Sequence, residues 1–513
     1  MQPVESGFRL TKIIATLGPA SEAPETIAEL IREGVRVFRL NFSHGSPEEH
    51  RRRIHAVRAA SREADVPVAI LGDLCGPKIR IGKVAEGGVV LHPGQPVLFQ
   101  ADAVVAAPAA SAREPVAFST NTPAIVQEVQ TDHRVLLDDG AVRLVCEGRD
   151  RGRLVCRVVE GGIVTSNKGV NLPDTALSVP AMTPRDYDWA RFAVEHELDF
   201  LALSFVRSGD DVRRLKQELV RLGARPSEDQ MGIDNPLEFS AIEIESEGII
   251  PVISKIEKPQ AIDNLDSILR ESDAVMVARG DLGVEMDLAE VAVLQKRIVR
   301  LCQEYGIPVI VATQMLQSMI ESAGPTRAEV SDVANAIFDG ADAVMLSGET
   351  SIGRHPVQAV RMMSRIAAKT HRYILDQAEV CPRTRKALER KRMAAALAHG
   401  VQVMVHDLDI RLLAVWTQFG GGAVYLSQQR IPRPILAFSP SEATLRRMSL
   451  LYGLTPLRMA QPASTGQFIE QTDRLLLERG WAARGDAVAI VLGEPIAKPG
   501  ITNRVCLHYV GEA

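Results

Sequence analysis

The chain has 513 residues, of which 46% are hydrophobic and 24% charged, with 59 basic against 64 acidic side chains and a formal net charge of −5. That is the composition of a soluble globular protein with room for roughly two to four domains, and it offers no global basicity to attract nucleic acid or a membrane surface, so any anion must be held by local clusters. The six cysteines form no CxxC pair or zinc-like spacing, the opening MQPVESGFRLTK lacks an apolar signal-peptide core, and no apolar run reaches the roughly 18 residues of a membrane span, so a reduced, cytoplasmic protein is expected.

Short apolar runs alternate with longer amphipathic stretches along most of the chain. The predicted strands are KIIAT (12–16), VRVFRL (35–40), VPVAIL (66–71), DFLALS (199–204), IPVISKI (250–256), DAVMVA (273–278), IPVIVA (307–312) and DAVMLS (342–347). Helical patterns lie between most of them, at 24–33, 47–63, 184–196, 209–222, 259–270, 288–305, 327–338 and 356–370. Continuous apolar strands alternating with helices predict parallel strands buried on both faces, and this number of repeats favours a closed (β/α)8 TIM barrel over an open sheet.

Two stretches interrupt the rhythm. Residues 77–178 are rich in Val, Gly and Asp, with turn signals at 87–88, 138–140 and 161–162 and no helical pattern between strand-like segments. This predicts an all-β lid domain inserted after the third barrel strand, leaving 1–76 and 179–370 as the barrel. The connection 224–248 is long and reads as a loop with a helical turn. After residue 370 a charged connector leads into a C-terminal α/β domain, 371–513, with strands near 411–416, 434–439, 453–459, 487–492 and 503–509. No Walker motif and no GxGxxG after a strand occur, so a nucleotide would be held another way.

In such a barrel the active site gathers at the carboxyl ends of the strands. Read in order, those ends offer Arg39, Asn41, Ser43 and His44; then Asp73; Ser204 with Arg207; Lys255 and Glu257; Arg279, Gly280 and Asp281; Thr313 and Gln314; and Ser347 with Glu349. Any one of these has a bland explanation as a helix cap or a surface ion pair. Together, that many polar groups at one barrel mouth are hard to explain unless they bind something. Glu257 and Asp281 follow adjacent strands, and hard oxygen donors without His or Cys suit Mg2+ or Mn2+; pairing with Arg279 or Lys255 is the competing explanation. Arg39, Lys255, Arg80 and Lys168 are surplus cations, and cations beside a hard metal describe phosphoryl transfer.

The motifs TKIIATLGPAS (11–21), FRLNFSHG (38–45), GPKIR (76–80), NKGVNLP (167–173), LSFVR (203–207), ISKIE (253–257), VARGDLGVE (277–285), ATQML (312–316), PTRAEVSDVANA (325–336) and DGADAVMLSGET (339–350) resemble those of pyruvate kinases. The resemblance spans essentially the whole chain and is densest in the barrel. It implies transfer of phosphate from phosphoenolpyruvate to ADP, giving ATP and, after protonation of the enolate, pyruvate, with a mobile lid and a homotetramer. It further implies Glu257 and Asp281 as metal ligands, Lys255 as the cation on the phosphoryl group in flight, and Arg39 as its grip. Ser204, Gly280, Asp281 and Thr313 would contact substrate, Thr313 and Ser347 would belong to a proton relay, and Asn41, His44, Arg80 and Lys168 would face the nucleotide phosphates.

Departures from the family pattern carry their own expectations. The K+-dependent pattern uses positions matching Asn41, Ser43 and Asp73 together with Thr at 74 and Glu at 78, whereas this chain has Leu74 and Lys78 within GDLCGPKIR. An ammonium at 78 would replace the ion, so K+ is not expected to be required; the plain alternative is a solvated lysine at the lid hinge. Cys75 stands where the family often carries a lysine-type residue, and Glu49 where it often has an aromatic near the nucleotide. In the C-terminal domain Thr417 to Gly422 opens a helix after a strand, a place where the family binds a sugar phosphate; Phe419 and Gly422 replace phosphate-binding side chains, while Lys498, Thr502 and Asn503 remain on the second arm. A sugar-phosphate or nucleotide effector and a bare tight turn are equally compatible with this loop. Two other readings of the whole chain compete: a metal-dependent lyase acting on pyruvate enolates, which needs no nucleotide clamp, and a catalytically inactive regulatory protein, which would not need Arg39, Lys255, Glu257, Asp281 and Thr313.

Overall fold

A computed structural model of the chain describes residues 8–223, 249–376, 392–496 and 501–512. The connection 224–248, most of the charged connector and Lys498 lie outside the described residues. Eight parallel strands close into a barrel: β1 (Lys12–Thr16), β2 (Val35–Asn41), β3 (Ala69–Asp73), β4 (Phe200–Leu203), β5 (Val252–Ile256), β6 (Ala274–Ala278), β7 (Val309–Ala312) and β8 (Ala343–Leu346). Each pairs with its neighbours in chain order, and β8 closes against β1 with Lys12 opposite Ala343.

Alternation along each strand divides two cores. Ile14, Val37, Leu71, Ala202, Ile253, Met276, Ile310 and Met345 fill the barrel interior. Their sequence neighbours, such as Ile13, Phe38, Ile70, Leu201, Val275 and Val311, pack outward against the helices. This is why the strands read as unbroken apolar runs. Three predicted strands include a proline, and in each the ladder begins after it, at Ala69, Val252 and Val309, because Pro67, Pro251 and Pro308 have no N–H to donate.

Helix starts follow the sequence closely. Ser46, Thr183 and Thr326 each form a capping box with the acidic residue three positions on. Asp186, the acid of the second box, also accepts from the backbone N–H groups of Cys75 and Gly76 at 2.9 and 3.1 Å, which fixes the chain just past β3.

The inserted domain is a six-stranded sheet plus a two-stranded ribbon around its own core. It is not purely β: residues Ala124–Glu128 form one short helix, started by a proline at 123 and too brief for its 3.6-residue period to show in the sequence. In the barrel, the predicted helix 259–270 is two pieces, Pro259–Asp263 and Leu265–Glu271, and the strand end RGDLGVE is itself a short helix, Arg279–Glu285. The C-terminal domain has four parallel strands and an antiparallel edge strand, Arg504–Tyr509.

Candidate active site

Register at the carboxyl end of the barrel brings Arg39, Asp73, Ser204 and Lys255 to one place. Arg39, two residues before the end of β2, sends both Nε and an Nη to Asp73 Oδ2 at 2.7 Å, with its other Nη 3.2 Å from Thr16 Oγ1. Lys255 Nζ donates to Ser204 Oγ at 2.7 Å and stands 3.5 Å from Asp73 and 3.4 Å from Glu257. The Ser204 hydroxyl donates to Leu74 O at 2.8 Å, so it presents its lone pairs to the ammonium.

Burial decides the electrostatics here. It would strip the charge from Lys255, yet Asp73, Glu257 and Asp281 hold the lysine firmly protonated, above its ordinary range. Burial likewise pushes Asp73 up, but Lys255 and Arg39 outweigh it and the carboxyl ends below its usual value. Glu257 goes the other way. Burial and the negative charges of Asp281 and Asp73 raise its carboxyl to about 7 despite Lys255. A carboxylate so reluctant to hold its charge lacks one more positive partner, which is what a divalent ion supplies.

The donor set fits such an ion. Glu257 is only 2% exposed, and Oε1 accepts the Phe205 N–H at 2.6 Å, which fixes the carboxylate plane. Asp281 is exposed at the start of the Arg279–Glu285 helix. Among the described residues no group of three or more His, Cys, Asp or Glu side chains joins them. Two carboxylates alone suit Mg2+, which keeps several positions for water and substrate oxygens. Arg279 does not compete for them: it is buried, donates to the Thr313 carbonyl at 2.9 Å, and pairs with Asp332 at 2.7 Å.

Thr313 has φ of 69°, a left-handed conformation that a β-branched residue rarely adopts. The strained turn is held by Arg279 and by a 2.7 Å bond from Gly280 N–H to Thr313 Oγ1. A Cβ at position 280 would come 3.3 Å from that same oxygen, so glycine keeps the threonine in place. Ser347 lies past β8; its N–H is taken by Glu349 at 2.7 Å, and its Oγ is buried with no hydrogen-bond partner among the described residues.

Beside this cluster, a cleft of about 440 Å³ opens between barrel and lid. Lys78, Arg80 and Lys168 line it along with Glu257, Asp281 and Glu285. Arg80 donates to Asn167 O at 2.6 Å, and Lys168 pairs with Asp138 at 2.8 Å, both within the lid. Exposed His44 faces the same side; burial and then the charges of Lys78, Arg39, Arg80 and Arg185 keep its imidazole below the ordinary range. Asn41 turns inward, its Oδ1 accepting the Ser43 N–H at 3.1 Å. Asp73 is satisfied by Arg39 and Lys255, whereas Lys78 is exposed at the cleft and makes no ion pair among the described residues. Partial burial and the nearby Lys255 lower its ammonium from the usual lysine range.

Sequence reasoning missed one polar group. Glu285 is 1% exposed, pairs closely with Lys258, and accepts from Asn171 of the lid at 2.7 Å; its other oxygen has no partner among the described residues. The signal was present, since Glu285 sits one helical turn after Asp281 in the same motif and Asn171 lies within NKGVNLP. In the C-terminal domain the helix Gly421–Gln428 is preceded by Gly420 at φ 94°, and a Cβ on Gly422 would come 2.6 Å from Thr502 Oγ1. That glycine lets the second arm approach.

Comparison with known proteins agrees along the chain. Residues 8–227 and 238–360 match the family model described as pyruvate kinase, barrel domain, and residues 395–508 the one described as pyruvate kinase, alpha/beta domain. A pyruvate kinase of Mycobacterium intracellulare is 40% identical over 504 residues, covering 98% of this chain and 99% of its own. One from Corynebacterium glutamicum is 39% identical over 506 residues, with 98% of both chains covered. The solved structure of a pyruvate kinase from Cryptosporidium parvum has a TM-score of 0.83 at 31% identity, covering 98% of this chain and 96% of that one. Fold, strand-end residues and full-length similarity lead to one conclusion: the chain belongs to the pyruvate kinase family and is a phosphotransferase.

Proposed function

We propose that the strand-end cluster binds phosphoenolpyruvate at Arg39, Ser204, Lys255, Gly280, Asp281 and Thr313, with ADP in the adjoining cleft, and that the transfer runs without K+. The observation that carries this reading is the Lys255 ammonium, buried between Asp73 and Glu257 and steered by Ser204. A permanently charged group in a site of low dielectric stabilises negative charge developing on a phosphoryl oxygen far better than one in water, and it needs no reorganisation at the moment of transfer. Arg39, locked by Asp73, presents the remaining edge of its guanidinium to the same oxygens. Glu257 and Asp281 would hold Mg2+ or Mn2+, which would supply positive charge against the substrate oxygens.

Thr313 and the Gly280 and Asp281 N–H groups orient the carboxylate, a role that exchanges the present Gly280–Thr313 bond for one to substrate. The Ser347 hydroxyl, buried without a hydrogen-bond partner among the described residues, and Thr313 would form the proton relay to the enolate. Arg80 and Lys168 line the cleft with the positive charge that nucleotide phosphates require, and Asn41 and His44 would contact the same phosphates. The lid excludes water that would otherwise take the phosphoryl group.

Independence from K+ is supported by two residues. Leu74 is buried where an oxygen ligand would be needed, and Lys78 brings its own ammonium within the electrostatic reach of Asp73 and Lys255. The family's cytoplasmic, homotetrameric organisation is taken over with the activity. No helix among the described residues is long and apolar enough to cross a membrane.

A coupled assay of pyruvate formation from phosphoenolpyruvate tests the reading. ADP-dependent turnover with Mg2+ in tetramethylammonium buffer is the expected result. Turnover that appears only when KCl is added would remove the K+ claim alone. Protein that shows no electron density for Mn2+ and oxalate between Glu257 and Asp281 would remove the site assignment.

A further inference from the structure

Two cysteines oppose each other inside the lid, away from the cluster just described. The strands Val142–Asp150 and Arg153–Glu160 form an antiparallel hairpin in which Cys146 is the register partner of Cys156. The hairpin turn, Arg151-Gly152, has φ of 47° and 78°, the positive pair that matches strand twist and sets the pairing of Gly148 with Val155; a one-residue bulge at Glu147 then brings Cys146 opposite Cys156. Cys146 spends its N–H on His133 O and its C=O on Asp132 N–H, both at 2.9 Å and both on the strand's other edge. Facing Cys156, it therefore belongs to a non-hydrogen-bonded pair. In such pairs the Cα atoms stand about 4.5 Å apart with side chains close together, at the near end of the roughly 4.4–6.8 Å that a disulfide spans. Both side chains point into the lid core, 1% and 0% exposed, with Cys146 Sγ 3.9 Å from Gly148 O.

We propose that Cys146 and Cys156 are a reversible dithiol–disulfide site, oxidised by peroxide to a cross-strand staple in the lid. The Cys146 thiolate attacks one oxygen of hydrogen peroxide, forming Cys146 sulfenic acid and releasing hydroxide, which takes up the proton that the thiol gave. The Cys156 sulfur then attacks the sulfenic sulfur, the S–O bond breaks, and the second water leaves with the Cys156 proton. Two thiols and one peroxide give one disulfide and two waters. A low-molecular-weight dithiol reverses it by exchange. The order of events follows from the pair: the neighbouring Cys156 thiol, with the Gly148 backbone and Arg149 nearby, brings Cys146 down to about 7 against burial, while the Cys146 side chain and burial push Cys156 up. Because both sulfurs are buried, the rate is set by local opening of the hairpin. Among the other described cysteines, Cys75 and Cys302 are buried without an opposing thiol in register, and Cys506 faces Ile490.

Trypsin cuts between the two residues, giving LVCEGR (144–149) and LVCR (154–157). The full-length protein is treated with hydrogen peroxide, its remaining thiols are alkylated, and the digest is read without reduction. The expected product is these two peptides joined, two hydrogens lighter than their sum, and separated again by dithiothreitol. Recovery of both peptides singly alkylated, of Cys146 as sulfinic or sulfonic acid, or of either cysteine joined elsewhere overturns the proposal. Cys156→Ser treated with peroxide and dimedone should carry the label on Cys146. A label confined to Cys156 in Cys146→Ser would overturn the assignment of the attacking sulfur, and the wild-type digest decides the disulfide even if either variant folds poorly.

Discussion

Lys255 carries the heaviest demand of any single residue. It is the one ammonium shared by Asp73, Glu257 and Ser204 at the strand ends. Lys255→Met keeps the length of the side chain and removes the charge. It takes away a preorganised cation, a loss on the order of 10²–10³ in kcat by analogy with single transition-state donors. It also leaves Glu257, already raised to about 7, without its nearest cation. Steady-state kinetics should show kcat falling by that amount with a smaller change in the KM for phosphoenolpyruvate. Lys78 makes a different kind of prediction, because it faces the cleft without an ion pair among the described residues. Lys78→Glu reverses a charge within reach of Asp73 and Lys255. In tetramethylammonium buffer its turnover should drop about tenfold or more, the equivalent of about 1.4 kcal/mol of lost charge stabilisation. KCl should restore it, whereas the wild-type enzyme should respond to KCl little or not at all. A variant indifferent to KCl would mean that Lys78 is only a solvated hinge residue.

At the level of elements, the lid meets the barrel through a short chain of contacts: Asn171 on the Val170–Asn171 strand, Glu285 on the helix after β6, and Lys258 after β5. A hydrogen bond to a buried carboxylate contributes about 1.5–3 kcal/mol. Asn171→Leu removes it from the lid side only, so the population of closed lid should fall about tenfold or more. The KM for ADP should then rise several-fold while thermal unfolding stays close to that of wild type; equal ADP kinetics in the two proteins would show that the contact does not govern closure. The same elements show what a sequence can and cannot disclose. Barrel strands and most helices were legible because a buried strand reads as an unbroken apolar run and capping boxes at Ser46, Thr183 and Thr326 mark the helix starts. The helix Arg279–Glu285 was not, since RGDLGVE is too short for a period to emerge. The strand ends could be lined up as candidates, but their partners could not. That Asp73 is claimed by Arg39 and Lys255, and that Arg279 turns away to Asp332, depends on register across three or four strands, which no local pattern encodes.

For the whole molecule, one contribution to stability at mild acid lies where the C-terminal domain plugs the amino-terminal end of the barrel. Leu450 enters the barrel-interior core, Ser449 donates to Pro67 O at 2.8 Å, and Arg446 pairs with Asp199 at 2.7 Å. Around this joint are two buried bases without carboxylate partners. Lys12 donates to the carbonyls of Arg9 and Leu454, and burial with the charges of Arg36 and Arg9 lowers it to about 7. His371 Nε2 accepts from the Thr11 N–H at 3.2 Å and lies 2.9 Å from its hydroxyl, and its Nδ1 is buried with no partner. Burial first, then Arg430 and Lys12, lower His371 from 6.5 to about 3. Arg430 itself lies over Tyr452 and pairs with Asp342 at 3.2 Å, so Asp342 does little to welcome a proton on the histidine. Below pH 6.5 the unfolded chain binds a proton at this histidine that the folded chain refuses until about pH 3, so the folded state loses about 1.4 kcal/mol per pH unit through that window. Lys12 is separable, because its window runs from about 7 to 10.5, where stability rises with pH. Between pH 7 and pH 5 the slope attributable to the joint therefore belongs to His371. Wild-type protein should lose about 2 kcal/mol more than His371→Gln across that interval in urea unfolding. Parallel losses in the two proteins would place the acid sensitivity elsewhere, and a joint that tightened on acidification would contradict the neutral, accepting imidazole on which the contact with Thr11 depends.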